Sequence, residues 1–370
     1  MSELRLMKGN EVIAEAAVRC GCDAYFGYPI TPQSEVMETL MALRPWETTG
    51  MVVLQAESEV ASINMVYGAA STGKRAMTSS SSPGISLMAE TLSYLAGAEL
   101  PCLVVNVSRG GPGLGTIQPS QADYFMATKG GGHGDFHLIV LAPSSVQEMH
   151  DFVSLAFDLA FKYRNPAMIL ADGVIGQMME KVELRDQRPR RAREEALKDV
   201  GSWATTGKAG RARNIVTSLD LDPARHEKFN QKLQAKYAEI REKEVRYEEL
   251  LCGDAEYLIA AYGISARIGQ KAVELLRAEG VKVGLFRPIT LFPFPAKQLA
   301  ARAGQLKGIL CVELSAGQMI EDVLLAVGNT LPVAHFGRNG GIIHSPNEVV
   351  EAMRELRVKN GLYYTWTGFA

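Results

Sequence analysis

The sequence lacks the features that mark nucleic-acid-binding and membrane proteins. Of its 370 residues 22% are charged, and the formal net charge is only −2, so its composition attracts neither a polyanion nor an anionic membrane. No apolar run reaches the roughly 18 residues of a spanning helix. The N-terminus, MSELRLMKGNEV, lacks the apolar core of a signal peptide. We therefore expect a cytoplasmic protein that binds neither nucleic acid nor a membrane.

Metal-binding cysteine patterns are also absent. The five cysteines form no Cys-x-x-Cys pair and fall in or beside apolar segments, at Cys20, Cys22, Cys102, Cys252 and Cys311. The spacings that hold zinc or iron–sulfur clusters are therefore missing. An odd number of cysteines without a secretion signal favours reduced thiols. We predict no metal site on this chain.

Strand and helix patterns alternate in two parts of the sequence, separated by a charged stretch. Strands such as Pro101–Val107 are continuously apolar, which is typical of a parallel sheet covered on both faces. We predict an α/β fold with two doubly wound parallel-sheet domains, residues 1–178 and 251–370. Between them, residues 179–250 form a charged, partly helical linker.

The linker and the second domain show no catalytic pattern. Apolar residues at helical spacing predict a solvated helix docked along one edge of the fold, and they are Phe229, Leu233, Tyr237, Ile240 and, further on, Val245 and Leu250. In the second domain, His335 lies in a predicted strand and His344 in a loop. We interpret both histidines as packing or surface residues.

Two carboxylates follow a short apolar run near the N-terminus. The run Met51–Leu54 has the pattern of a buried parallel strand, and Glu57 and Glu59 come just after it, where a helical pattern begins. Open α/β sheets bind ligands at the carboxyl ends of their strands. The residues alone leave two interpretations open, a pair that only favours the helix dipole and a pair that belongs to a binding site.

Two further positions are candidates for binding an anion. Thr31 and Pro32 have the chemistry of an N-cap and a first helical residue, and a helix N-terminus suits a small anion, although capping alone also explains the pair. Arg109 follows the apolar strand 101–107 within SRGGPGLG, which does not match the dinucleotide-binding Gly-x-Gly-x-x-Gly pattern. The glycines could merely form turns. A guanidinium at a strand end is nevertheless a plausible clamp for a carboxylate or phosphate.

Four motifs, in order, resemble those of a known family. They are GYPITPQSE (27–35), QAESEVASINMVYGAASTGKRAMTSSSSPGISLMAE (55–90), NVSRGGPGLGT (106–116) and RPITLFPFP (287–295). Together they resemble the alpha subunit of the 2-oxoacid:ferredoxin oxidoreductases over nearly the whole chain. The resemblance implies a thiamine diphosphate-dependent enzyme of anaerobic metabolism that converts a 2-oxoacid and coenzyme A to acyl-CoA and CO₂ and reduces ferredoxin. It also implies a domain that binds the cofactor's aminopyrimidine ring, followed by a transketolase C-terminal-like domain.

The resemblance gives one carboxylate a catalytic role. In this family a glutamate hydrogen-bonds N1′ of the aminopyrimidine ring, which makes the cofactor's own amino group basic enough to remove the thiazolium C2 proton. The protein thus tunes the electronics of its cofactor. The register of the helix that follows matches this glutamate to Glu59, with Glu57 as its rival.

The resemblance also implies contacts to the cofactor and substrate. The family's Tyr-Pro-Ile-Thr-Pro segment corresponds to Tyr28, Pro29 and Ile30 as cofactor-binding residues. Thr31 and Arg109 correspond to the residues that hold the carboxylate of the 2-oxoacid.

Several parts of the family's catalytic apparatus are missing from the sequence. There is no Gly-Asp-Gly followed by a metal-binding asparagine, so the resemblance implies that a beta subunit holds the diphosphate and Mg²⁺. It implies [4Fe-4S] clusters on partner subunits as well, with a gamma subunit and a ferredoxin-like subunit completing the complex. We therefore expect this chain to be active only with its partners.

The substrate is the least determined part of the resemblance. The run TSSSSPG and the segment S-E-V-A look closer to members that use branched-chain 3-methyl-2-oxobutanoate than to pyruvate members. A 2-oxoglutarate enzyme and a non-catalytic scaffold subunit are the alternatives. The joint presence of Thr31, Glu59 and Arg109 argues against the scaffold, and the absent diphosphate motif argues against a self-contained transketolase-like enzyme.

Overall fold

The computed structural model describes residues 3–189, 193–328 and 330–358. Residues 190–192 of the predicted linker and 359–370 of the predicted second domain lie outside the described residues. The strands are β1 (Glu3–Lys8), β2 (Ala24–Gly27), β3 (Val52–Gln55), β4 (Ala76–Ser80), β5 (Leu103–Ser108), β6 (Ile139–Leu141), β7 (Ala167–Asp172), β8 (Met179–Leu184), β9 (Tyr247–Leu250), β10 (Tyr257–Ala261), β11 (Val283–Pro288), β12 (Thr290–Phe292), β13 (Gly308–Glu313) and β14 (Val333–Gly337).

Helices fill most of the connections between these strands. They are α1 (Gly9–Arg19), α2 (Ser34–Leu43), α3 (Pro45–Thr48), α4 (Glu59–Ser71), α5 (Ser82–Gly97), α6 (Tyr124–Thr128), α7 (Val146–Tyr163), α8 (Gly173–Gln177), α9 (Arg193–Val200), α10 (Pro223–Lys243), α11 (Gly263–Ala278), α12 (Ala296–Ala303), α13 (Met319–Val327) and α14 (Pro346–Val358). This alternation confirms the predicted α/β class.

Seven strands form the larger sheet, in the order β12, β6, β7, β5, β4, β2, β3. Neighbouring strands run parallel except β12, which is antiparallel to β6. The central strands β5 and β7 are buried along their whole length, as the apolar run 101–107 predicts. The register pairs Ser80 with Asn106 and Ser108 with Asp172, so the carboxyl ends of β4, β5 and β7 share one edge.

The strand that precedes the two carboxylates is not buried, and this part of the prediction is wrong. β3 lies at the end of the sheet and pairs only with β2. Val52 is 51% exposed and Leu54 is 44% exposed. An apolar sequence can belong to an edge strand because strand order is decided by tertiary contacts, which local pattern does not report. This edge leaves apolar side chains and unpaired backbone groups at the surface.

The smaller sheet has five strands, in the order β14, β13, β10, β11, β9. Its strands are parallel except β9, which is antiparallel to β11. β9 comes from the predicted linker, and β8 of the same stretch pairs with β1 in a small antiparallel sheet. The predicted linker therefore contributes strands to two sheets. The domain boundaries at 178 and 250 stay a prediction.

The segment RPITLFPFP joins the two large sheets. Arg287 is 3% exposed, and its Nη1 and Nη2 donate to the two carboxylate oxygens of Glu148 at 2.7 and 2.6 Å. Three residues later, β12 begins, and it joins the larger sheet through β6. Bidentate pairs of this kind fix geometry as well as adding energy. The motif thus fastens the second α/β unit to the first.

The predicted linker helix is confirmed as α10, which is charged on one side and docked on the other, but it ends at Lys243. The predicted continuation through Val245 and Leu250 is wrong, because residues 247–250 form β9, which pairs with β11. The buried residues of α10 are Leu233, Tyr237 and Ile240. Lys232 and Lys236 pair with Glu99 of the first α/β unit. Across the described ranges, no helix has the length and apolar content needed to cross a membrane. The cytoplasmic location stays a prediction.

Candidate functional site

The candidate site lies where the carboxyl ends of β2, β4 and β5 meet the start of α4. Gly27, Ser80 and Ser108 end these strands, and Tyr28 and Arg109 follow two of them directly. α4 packs against β2, β4 and α5. Because these strands are close neighbours in a parallel sheet, the predicted residues that follow them are brought to one edge.

The structure separates the two glutamates that the sequence leaves as rivals. Ser58 is the N-cap of α4, and its Oγ accepts a hydrogen bond from the Ala61 amide at 3.2 Å. Glu59, the first helical residue, is 6% exposed, whereas Glu57 is exposed. Within the described residues, the Glu59 carboxylate has neither a hydrogen bond nor an ion pair. The oxygens of this carboxylate are therefore free to accept hydrogen bonds.

A glycine lets α5 approach this carboxylate closely. A Cβ added to Gly84 would lie 2.7 Å from Glu59 Oε1 and 2.1 Å from Ser80 Oγ. The Ser80 hydroxyl is also buried and has no hydrogen-bond partner among the described residues. The absent side chain therefore lets the backbone of α5 lie directly against the Glu59 carboxylate and the Ser80 hydroxyl.

A series of side-chain hydrogen bonds holds the turn after β2 in place. The Tyr25 hydroxyl lies 2.8 Å from Ser79 Oγ, which donates to Gln33 Oε1 at 2.5 Å. Gln33 Nε2 in turn donates to the Tyr28 carbonyl at 3.2 Å. These contacts position the predicted cofactor-binding turn, in which Tyr28 and Ile30 are half-buried and Pro29 is exposed.

The predicted capping role of Thr31 and Pro32 is wrong. α2 begins at Ser34, its N-cap is Gln33, and that cap has no side-chain hydrogen bond. The Pro32 carbonyl is occupied by two side-chain donors, Asn10 Nδ2 at 2.6 Å and Gln177 Nε2 at 2.9 Å. These tertiary contacts keep Pro32 in the turn, and the helix starts two residues later than local capping chemistry predicts.

The structure does bring Thr31 and Arg109 together. Arg109 Nη1 donates to the Thr31 carbonyl at 2.8 Å, and Nη2 donates to the Leu114 carbonyl at 3.3 Å. The arginine is 6% exposed, and its Nε is buried without a hydrogen-bond partner. No carboxylate in the described part of the chain pairs with it. A buried guanidinium with spare donors is suited to bind an anionic ligand.

Comparison with known proteins identifies the family. A family model described as pyruvate flavodoxin/ferredoxin oxidoreductase, thiamine diphosphate-binding, matches residues 15–248. A second, described as pyruvate:ferredoxin oxidoreductase core domain II, matches residues 255–362. The ketoisovalerate oxidoreductase subunit VorB of Methanothermobacter thermautotrophicus is 51% identical over 95% of this chain and 97% of its own length. The chain belongs to the 2-oxoacid:ferredoxin oxidoreductase family, as an alpha-type subunit.

More distant members and a solved structure extend the comparison. The 2-oxoglutarate synthase subunit KorA of Methanothermobacter marburgensis is 34% identical over 96% of this chain and its own full length. A 2-oxoglutarate:ferredoxin oxidoreductase from Magnetococcus marinus superimposes with a TM-score of 0.84 at 28% identity, over 95% of this chain and 65% of that chain. A split-gene transketolase shares the fold alone, with a TM-score of 0.59 at 13% identity.

Three polar residues beside Arg109 in this oxidoreductase subunit were not found from the sequence. Ser82 Oγ and Asn106 Nδ2 donate to Asp123 Oδ2 at 2.6 and 2.8 Å. Burial raises the pKa of Asp123, an effect that the hydrogen bonds from Ser82 and Asn106 oppose. Asn106 could have been identified from the sequence, because it is a polar residue inside an apolar strand. Asp123 lies in a loop, where no sequence pattern marks it.

The described residues fit one part of thiamine diphosphate. The aminopyrimidine ring needs a carboxylate at its N1′, and Glu59, which is buried and has no hydrogen bond among the described residues, would be able to supply it. Across the described ranges, no three or more His, Cys, Asp or Glu side chains converge on a metal position. The placement of the diphosphate-binding residues and of Mg²⁺ on a partner subunit stays a prediction.

The two singled-out histidines are packing residues, as expected. His335 is 2% exposed and His344 is 3% exposed. His344 Nε2 lies 3.2 Å from Ser265 Oγ. Burial, together with the charges of Arg338 and His335, lowers the pKa of His344 to about 3, so its ring is neutral at physiological pH.

Proposed function

We propose that this subunit carries the aminopyrimidine and carboxylate-binding half of an enzyme that converts 3-methyl-2-oxobutanoate and coenzyme A to acyl-CoA and CO₂, with ferredoxin as electron acceptor. The observation that carries the proposal is the presence of two buried charged residues, Glu59 and Arg109, at one edge of the sheet. Within the described residues, Glu59 has no hydrogen bond and Arg109 has a buried Nε without a partner. The branched-chain substrate is supported by about 50% identity to VorB subunits against 34% to KorA subunits.

Glu59 shares a proton with N1′ of the aminopyrimidine ring in this proposal. When bound, thiamine diphosphate supplies the carbon nucleophile and the electron sink for decarboxylation. The contribution of Glu59 is a fixed acceptor held in a buried position, since its backbone begins a capped helix and Gly84 lies against its carboxylate. A carboxyl group in a largely apolar crevice is suited to sharing a proton with a ring nitrogen.

Arg109 binds the carboxylate of the 2-oxoacid, with Thr31 beside it. The guanidinium is held by two backbone carbonyls and keeps a buried Nε–H without a partner. Tyr28, Pro29 and Ile30 form the adjoining wall on the cofactor side. A positive group held in place before the reaction lowers the cost of orienting the substrate.

A beta subunit covers this site and supplies the diphosphate-binding residues and Mg²⁺. The elements around Glu59 carry exposed apolar side chains on β3, α4 and α5, namely Val52, Leu54, Val60 and Leu87. Such a patch is typical of a surface that another protein covers. The relatives are named as subunits, in keeping with the proposed beta, gamma and ferredoxin-like partners, which carry the [4Fe-4S] clusters.

An anoxic affinity purification of the tagged chain from its native host tests the proposal. The eluate is assayed for partner chains, thiamine diphosphate, iron and coenzyme A-dependent viologen reduction with 3-methyl-2-oxobutanoate, 2-oxoglutarate and pyruvate. We expect activity only when the partner subunits are present, and fastest with the branched-chain acid. Faster turnover of 2-oxoglutarate than of the branched-chain acid would show that the enzyme is of the 2-oxoglutarate type instead. A partner complex without thiamine diphosphate would point to a scaffold subunit.

A further inference from the structure

The loop that begins at Arg109 is tied to α5 at its first residue. The Arg109 amide donates to Ser82 Oγ at 3.0 Å. The same Ser82 oxygen lies 2.6 Å from Asp123 Oδ2 and 3.2 Å from the Arg109 carbonyl oxygen. One hydroxyl thus connects the backbone of Arg109 with a carboxylate at the far end of the loop.

The chemistry of these groups fixes the direction of the hydrogen bonds. A serine hydroxyl has one hydrogen, and an ionised carboxylate only accepts. The shorter contact therefore takes that hydrogen, so Ser82 donates to Asp123. Its lone pairs are then free to accept the Arg109 amide hydrogen. The Arg109 N–H thus donates to the Ser82 hydroxyl, which donates to the Asp123 carboxylate. The second of these bonds has an ionised acceptor, and hydrogen bonds of that kind are the stronger ones.

Asp123 is itself held in place from two sides. Asn106 Nδ2, on the central strand β5, donates to its Oδ2 at 2.8 Å. Two residues earlier, Gln121 is 1% exposed and is bonded to the second α/β unit. The backbone N–H of Gln121 donates to the Leu314 carbonyl at 2.8 Å, and its side-chain Nε2 donates to the Tyr262 carbonyl at 2.9 Å. These hydrogen bonds therefore hold Asp123 in place, and Ser82 links the Arg109 end of the loop to it.

We propose that Ser82 and Asp123 are positioning residues that hold the backbone of Arg109, and with it the guanidinium, at the place where the substrate carboxylate binds. Neither residue is expected to contact substrate or cofactor. This inference rests on the proposed role of Arg109, and it predicts that damage to the hydrogen-bond series weakens carboxylate binding while leaving the Glu59 side of the site intact.

The test uses the co-expressed complex with all its subunits and the 2-oxoacid that it turns over fastest. Ser82→Ala removes the hydroxyl that links the two groups, and Ser82→Thr keeps it. For Ser82→Ala we expect the KM for the 2-oxoacid to rise about tenfold, the loss typical of one hydrogen bond to a charged group. The kcat should stay unchanged, and Ser82→Thr should restore the KM.

Two binding measurements separate positioning from a general loss of structure. Isothermal titration calorimetry of 3-methylbutanoate, which has the carboxylate but no keto group, should show the same loss of affinity. The affinity for thiamine diphosphate should not change. In an Arg109→Lys background, Ser82→Ala should have no further effect on KM, since both changes act through one group.

The outcomes distinguish this inference from the function on which it rests. If Arg109→Lys raises the KM and Ser82→Ala does not, the positioning role is wrong and the carboxylate-binding role of Arg109 stands. If Arg109→Lys also leaves the KM unchanged, the proposed binding role of Arg109 fails first. A parallel loss of thiamine diphosphate affinity in Ser82→Ala would show a structural effect and overturn the positioning role.

Discussion

Two groups of buried polar side chains lie at the ends of parallel strands, and they differ in whether their hydrogen bonds are complete. In the second α/β unit, Glu313 accepts from the Gln318, Met319 and Ile320 amides and from Ser315 Oγ at 2.7–3.2 Å. In the first unit, Glu59 and Ser80 have no hydrogen-bond partner among the described residues, and Arg109 retains an unpartnered Nε.

The contrast separates a carboxylate whose partners lie within the chain from one that has no partner among the described residues. Glu313 is fully buried at the end of β13 and accepts from the first amides of α13, so its desolvation is offset within the chain. Glu313 and Glu59 both lie near the end of a strand. They differ in whether other residues of the chain donate hydrogen bonds to the carboxylate.

Exchanging each glutamate for glutamine should give opposite results, and this is the largest effect we expect. Glu59→Gln should lower turnover about 10²- to 10⁴-fold, the range for losing a proton-transfer group, without lowering thermal stability. Glu313→Gln should lower the free energy of unfolding by about 1.5–3 kcal/mol. Turnover of each complex and chemical denaturation of each variant check the pair. A stable, fully active Glu59→Gln complex would remove the distinction.

Removing the bidentate pair between the two units should destabilise the chain strongly. Arg287→Ala leaves Glu148 without the partner that neutralises it, and breaking a buried pair in this way costs about 3–5 kcal/mol. Lys297→Ala is the matched control, because Lys297 lies ten residues further along the chain in an exposed pair with Glu242. This variant should not change the free energy of unfolding. Chemical denaturation measures both. Equal stability of the two variants would show that Arg287 does not fasten the units together.

A methyl group at position 84 should disturb the Glu59 side of the site alone. The added Cβ of Gly84→Ala would lie 2.7 Å from Glu59 Oε1, and overpacking of this kind costs about 1–3 kcal/mol. We expect weaker thiamine diphosphate binding by the assembled complex, measured by calorimetry, with the KM for the 2-oxoacid less affected. Gly68→Ala on α4, whose Cβ meets nothing within 4 Å, is the control and should bind the cofactor normally.

The smallest effect concerns the docking of α10 away from the site. Burial opposes ionisation of Glu99, but the hydrogen bonds and charges of Lys232 and Lys236 outweigh it, so the pKa of Glu99 lies below its ordinary value. A lowered acid pKa stabilises the folded state above the ordinary value of about 4.3, and that stabilisation is lost as the pH falls through the lowered pKa. The protection factors of the α10 amides, which correct for the intrinsic pH dependence of hydrogen exchange, should therefore fall on acidification, and Glu99→Gln should abolish this fall.

Local patterns predicted most of the elements but not their neighbours in space. The buried strands β5 and β7, the amphipathic face of α10 and the alternation of strands and helices follow from periodicity. The exposure of β3 does not, because an apolar run has the same pattern at an edge and in the centre of a sheet. The transfer of β12 to the larger sheet is likewise a long-range pairing.

The same limit applies to the site. Glu59, Thr31 and Arg109 were predicted because strand ends and a family resemblance mark them, and the structure places Thr31 beside Arg109. The start of α2 was misplaced because Asn10 and Gln177, distant in sequence, hold the Pro32 carbonyl. Partners that arrive from remote segments leave no signal in the local sequence.

The central claim is that Glu59 acts on the aminopyrimidine ring, and proton exchange at the cofactor tests it most directly. In the assembled complex, the exchange of the C2 proton of bound thiamine diphosphate with solvent deuterium is followed by rapid quenching and proton NMR, with native chain and with Glu59→Gln. We predict that exchange slows about 10²-fold or more in the variant while the bound cofactor remains stoichiometric. An unchanged exchange rate at full occupancy would contradict the role of Glu59.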